Sequence, residues 1–145
     1  MRKLLRPLAL SALAGSALLP FAAPAGAQTA ADFQDARVEV APGCGGTVRA
    51  EVAVTPLPTN TNGVGVVVMF RADRQDPACA AKATVSWRNI ASGASGSEDV
   101  TVPSVPEPGW TFPTDHGYQR ALADTGPGPV IVTITTNPGE INVTV

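Results

Sequence analysis

Histidine occurs once in this 145-residue chain, cysteine twice, and Trp, Tyr and Phe together seven times. One histidine and two cysteines exclude a zinc finger and any multi-histidine metal cage, because such sites need three or four convergent ligands. Basic residues are also scarce, ten Lys and Arg against twelve Asp and Glu. Arg2, Lys3 and Arg6 belong to an N-terminal leader, and without them seven basic residues face twelve acidic ones, a net charge near −5. Nucleic-acid phosphates require a basic footprint, so this balance excludes a nucleic-acid partner. Helical periodicity is missing after the leader.

What is present begins with that leader. Arg2, Lys3 and Arg6 form a positive start, Leu8 to Leu19 is apolar or small, and Ala25-Gly26-Ala27 offers small side chains for cleavage before Gln28. Residues 1–27 therefore read as an export signal. Prolines 20 and 24 and the small residues around them dilute the apolar stretch below what a membrane span requires. Leu13-Ala14-Gly15-Ser16 resembles a lipoprotein box, but serine stands where the lipidated cysteine must be. The alanine- and proline-rich make-up resembles bacterial export signals. The mature protein is expected outside the cytoplasm, with no membrane span after cleavage.

In an oxidising compartment Cys44 and Cys79 are expected to pair. They stand 35 residues apart, and closing that loop is worth about 4 kcal/mol by chain entropy. A reactive thiol pair lacks its usual C-x-x-C spacing.

Residues 28–35 are small, polar and aperiodic, and read as a flexible N-terminal arm. From Ala36 to Val145 the dominant signal has period two, with β-branched residues bounded by glycine and proline clusters. Val38 and Val40 alternate with Arg37 and Glu39, and Val48, Ala50, Val52 and Val54 alternate with Thr47, Arg49 and Glu51. Within Val64 to Arg71, Val66 to Phe70 is apolar at both parities, as in a strand covered on both faces or an edge strand facing a partner. Ala83, Val85 and Trp87 share one face, Val100 and Val102 the next, and Tyr118, Arg120 and Leu122 mark a further short strand. Val130, Val132 and Ile134 then return through Asn137-Pro138-Gly139 to Ile141, Val143 and Val145.

This pattern predicts an all-β protein, an antiparallel sandwich of about seven to eight short strands with one disulfide, forming one domain over residues 36–145. In broad outline it resembles immunoglobulin-like domains, with Trp87 as a core tryptophan. The cysteines depart from a true immunoglobulin domain. Cys44 falls in the turn 41–46 and Cys79 just ahead of the Trp87 strand, so the bridge is expected to tie strand ends.

Catalytic motifs do not assemble. His116 beside Asp115, with Glu107 in reach, is the one acid–base or metal-ligand candidate, yet neighbours on an extended chain point to opposite faces. Ser92, Ser95 and Ser97 lack the G-x-S-x-G spacing and the strand-to-helix elbow, and read as a hairpin turn. Glu98 and Asp99, with Asp73 and Asp76, fall short of the six to eight oxygens calcium takes. Thr55 to Thr61 mixes threonine and proline as O-glycosylated loops do, and Asn142-Val143-Thr144 fits the N-glycosylation pattern.

Pro103 to Pro113 is the stretch most informative for function. It presents Trp110 and Phe112, with Glu107, on a proline-stiffened backbone that forbids a central strand. Rings held this way either make a low-entropy contact surface or fold back to plug the end of the sandwich. The sequence therefore predicts a secreted, non-enzymatic binding module without cofactor or metal, its partner an unspecified protein, glycan or lipid. One special form is a protease inhibitor, its loop braced by the Cys44–Cys79 bridge. The alternative is a carrier of a small apolar ligand, held between the sheets beside Val64 to Phe70.

Overall fold

The computed structural model describes residues 27–106, 108 and 116–145. The leader up to residue 26, and Glu107, Trp110, Phe112 and Asp115, lie outside the described residues. Among the described residues nine strands follow in chain order: β1 (Ala30–Asp32), β2 (Ala36–Ala41), β3 (Cys44–Pro56), β4 (Asn62–Ala72), β5 (Ala80–Asn89), β6 (Ser95–Pro103), β7 (Gly117–Ala123), β8 (Pro129–Ile134) and β9 (Ile141–Thr144). They form two antiparallel sheets packed as a sandwich. One is ordered β1-β3-β4-β7, with β2 also on β3, and the other β6-β5-β8-β9.

Alternation along each strand decides which side faces the other sheet. Val48, Ala50 and Val52 of β3 and Val64, Val66, Val68 and Phe70 of β4 are buried against Ala81, Ala83 and Val85 of β5 and Val130, Val132 and Ile134 of β8. Phe70, Val48 and Val68 have no exposed surface, and each such side chain contributes up to about 1.5–3 kcal/mol. The core side of β7 carries Gly117, a half-buried Gln119, Ala121 and Ala123, with no large apolar residue. A Cβ on Gly117 would run into the carbonyl of Pro103, so glycine is what lets β6 approach β7 here.

The structure departs from the sequence reading at several points. Residues 28–35 are not a loose arm. Ala30–Asp32 pairs with Glu51–Ala53, the Phe33 amide donates to the Ala50 carbonyl at 2.9 Å, and the Phe33 ring is buried. The Thr144 amide also donates to the Gln28 carbonyl at 2.9 Å, so this stretch is tied to both sheets. Strand β4, apolar at both parities, is an inner strand between β3 and β7; Val67 and Met69 are its outward, half-buried residues. Ser95 and Ser97 are not in the turn but in β6, opposite Arg88 and Ser86. The turn itself is 90–94, where Gly93 takes a positive φ of 76° and Ser92 Oγ accepts from the Ala94 amide at 3.3 Å.

Cys44 and Cys79 form the disulfide. It ties strand ends, but those ends belong to different sheets, the start of β3 and the residue before β5, so it also staples the two layers together. Trp87 lies on the core side of β5, half-buried at the margin of the core, and a Cβ on Gly96 across from it would strike its ring. Asn137 was expected only as a turn residue. Its Nδ2 donates to the carbonyls of Gln34 and Val48, each at 3.0 Å, joining the β8–β9 hairpin to the opposite sheet.

Candidate functional site

The outer face of the five-stranded sheet is built by the residues that alternate with the buried valines. Register pairing aligns Arg37 with Thr47 and Thr47 with Arg71, Arg49 with Met69 and Met69 with Tyr118, and Glu51 with Val67 and Val67 with Arg120. His116 precedes Gly117, the partner of Phe70, and so stands across from Arg71. Beneath these side chains is an open concavity of about 470 Å³ lined by Asp35, Thr47, Arg49, Glu51, Met69, Arg71 and His116. Its volume is in the range of ligand-binding clefts.

Two ion-pair systems flank it. Arg49 reaches Asp32 at 3.3 Å and Glu51 at 3.4 Å, all three side chains about half exposed. Arg37 grips Asp73 with both terminal nitrogens, one of them at 3.0 Å. That hydrogen bond, reinforced by the charge, holds the Asp73 carboxyl below its ordinary range and raises the Arg37 guanidinium, while desolvation opposes both shifts. A carboxyl depressed on folding contributes stability above its unfolded pKa, and loses it as pH falls through the depressed folded value. Asp73→Asn should therefore lower the melting temperature at neutral pH, with the gap to wild type closing on acidification and in molar salt. Thermal melts across pH check this, and a gap that persists in acid contradicts it.

The connection from β6 to β7 is anchored at both described ends. The Ser104 amide donates to the Cys79 carbonyl at 2.9 Å and its Oγ to the Asp76 carbonyl at 2.6 Å, fixing the start beside the disulfide. The other end is His116, whose Nδ1 lies 3.2 Å from the Gly117 carbonyl oxygen, on the rim of the concavity. The connection that carries Glu107, Trp110 and Phe112 thus leaves from the bridge and rejoins at the arginine-bearing face.

The remaining candidates do not converge. Thr84 Oγ1 donates to Asp99 at 2.6 Å on the outer side of the four-stranded sheet, whereas Glu98 pairs in register with Val85 and has the opposite parity. Asp73 is engaged by Arg37, and the Asp76 carboxylate accepts the Ala78 amide at 2.9 Å. Among the described residues no three His, Cys, Asp or Glu gather to hold a metal ion. The space between the sheets is occupied by the valines, alanines and Phe70 of the core.

Thr47, Arg49, Met69 and Arg71 were not singled out from sequence as site residues. The signal available was their outward parity; their convergence depends on register across β2, β3, β4 and β7. Together these features define an all-β, disulfide-stapled two-sheet sandwich with a polar concavity on one outer face. No family model, curated protein or solved structure matches the chain.

Proposed function

We infer that the protein is a small exported, non-enzymatic binding module that captures a protein, glycan or lipid of the cell envelope or its surroundings on its surface. The observation that carries this reading is the concavity bordered by Arg49, Arg71 and His116, set where the aromatic connection rejoins the sheet above a filled core. A pairing of Cys44 with Cys79 supports folding in an oxidising compartment, in keeping with cleavage before Gln28. An immunoglobulin-like arrangement is supported by strand order. β3, β4 and β7 facing β6, β5, β8 and β9 correspond to A, B and E facing C′, C, F and G, which puts Trp87 on the strand equivalent to C. The extra edge formed by β1 and β2, and a bridge elsewhere than between strands B and F, set it apart from antibody domains.

Replacing Trp110 and Phe112 together by alanine should abolish capture of the mature protein by envelopes of its own cells while leaving the melting temperature unchanged. Aromatic anchors carry most of the energy in contacts of this kind. Capture that survives the double substitution removes the loop from the binding surface.

A further inference from the structure

We propose that the open edge of β6 takes an extended, lysine- or arginine-bearing segment of a partner protein as an added strand, its cation resting between Trp87 and Glu98. This rests on the binding-module reading in naming a protein as the partner, and it uses neither the concavity nor the aromatic connection.

The backbone supplies the edge. β6 pairs with β5 without a break in register from Ala80 and Pro103 to Arg88 and Ser95, and among the described residues no strand pairs with its other side. Hydrogen-bonded pairs alternate along an antiparallel ladder. The Ser104 amide donates to the Cys79 carbonyl at 2.9 Å, and at the far end the Asn89 amide donates to the Ala94 carbonyl at 2.8 Å. Gly96, Glu98, Val100 and Val102 therefore bond to β5, whereas Ser95, Ser97, Asp99 and Thr101 turn their amides and carbonyls outward. The side chains of these four and of Glu98 are exposed. Other edges are blunted in the usual ways. β1 has three residues, β2 breaks register between Glu39 and Ala41, the Gln28 carbonyl takes the Thr144 amide of β9, and β7 carries Arg120 at its centre. β6 has no Lys or Arg, and its one proline is its last residue.

The core-side residues of this edge decide which strand fits. Trp87 is half-buried, and a Cβ on Gly96 would strike its ring, so the indole lies over the edge strand at a bare position. Glu98, two residues on, has the same parity, yet is exposed and unpaired among the described residues. A lysine or arginine opposite Gly96 or Glu98 on an added strand has the indole for its stem and the carboxylate for its charge. Lys82 and Arg88 stand on the outer face, one strand in from the edge, so the partner's cations belong on the core side. Glu98 also disfavours a second copy of this chain. Antiparallel pairing of two β6 edges about residue 97, 98 or 99 sets the two Glu98 side chains opposite or diagonal to one another, and like charges so placed repel.

The test is calorimetric titration of the disulfide-bonded mature chain with short capped peptides that alternate threonine with lysine, or threonine with glutamate. The lysine peptide is expected to bind at least tenfold more tightly. With its lysines on the core side, its threonine amides face β6, so methylating the threonine backbone nitrogens should abolish binding and methylating the lysine ones should not. Ser97→Pro removes an outward amide without touching a bond to β5, and should weaken binding at least tenfold. Glu98→Lys should reverse the preference in favour of the glutamate peptide, and Arg49→Gln on the other sheet should change nothing. Melting curves of the three variants report their folding. Lysine-peptide binding indifferent to Ser97→Pro and to threonine methylation is charge attraction alone and overturns the proposal, as does the absence of binding. A dimer of the chain that Ser97→Pro dissolves also overturns it, in favour of a second copy. If envelopes still capture the protein through Trp110 and Phe112, the strand partner alone falls; if they do not, the binding-module reading falls with it.

Discussion

Asn89→Ala should lower the unfolding free energy by about 3–5 kcal/mol, a large share of what a domain of this size holds. Asn89 is fully buried at the end of β5. Its Nδ2 donates to the carbonyls of Thr125 at 2.9 Å, Gly126 at 3.3 Å and Pro127 at 2.9 Å, and its Oδ1 accepts from the amides of Ala91 at 2.9 Å and Ser92 at 3.1 Å. One side chain thus satisfies backbone groups of both the β5–β6 turn and the crossover from β7 to β8. Alanine leaves the buried Thr125 carbonyl without this partner and removes four further part-buried hydrogen bonds, and the penalty for a buried unpaired group is about 1–3 kcal/mol. Asn89→Asp keeps the shape but turns a donor into an acceptor facing three carbonyls, and should be at least as damaging. Urea unfolding of both variants measures this. A loss below about 1 kcal/mol for Asn89→Ala would show that water replaces the side chain and that the loop is not held by it.

Removing the disulfide is the second large effect. The variant carrying Cys44→Ser and Cys79→Ala should lose about 4 kcal/mol by the loop-closure entropy of a bridge spanning 35 residues. The expected cost is high because the bond joins the two sheets, and a domain this small has a modest core to hold them otherwise. Equilibrium unfolding of oxidised wild type, reduced wild type and the double variant checks it. Reduced wild type and the variant should agree within experimental error. A variant as stable as the oxidised protein would mean that burial alone holds the layers together.

Strands with strict alternation were legible in the sequence because one parity is buried and the other faces water. Val48, Ala50 and Val52 on β3, and Val130, Val132 and Ile134 on β8, lie inward as the period-two pattern predicts. The cysteine pairing was legible from the count of two and the expectation of an export signal. β1 was not, because Ala30–Asp32 has no pattern of its own and is a strand only because β3 extends far enough to offer it an edge. Phe33, a lone aromatic in a polar stretch, was the one cue that this segment is anchored. Asn137 reads as a turn residue and Asn89 and Ser104 carry no pattern of their own, because the burial of all three depends on carbonyls supplied from distant parts of the chain. The outer-face concavity was half legible. Parity put Arg37 and Arg49 outward, but only the register shows them sharing a face with Arg71 and Arg120.

The claim that binding happens on the surface of a filled sandwich is most directly tested by mass spectrometry of the protein recovered from cultures of its own cells, denaturing and then native. The denaturing mass should be that of a chain beginning at Gln28, less two hydrogens for the bridge between Cys44 and Cys79. The native mass should be that same chain with nothing retained inside it. A small apolar molecule that survives into the native spectrum and is lost on denaturation would contradict the account and make the protein a carrier.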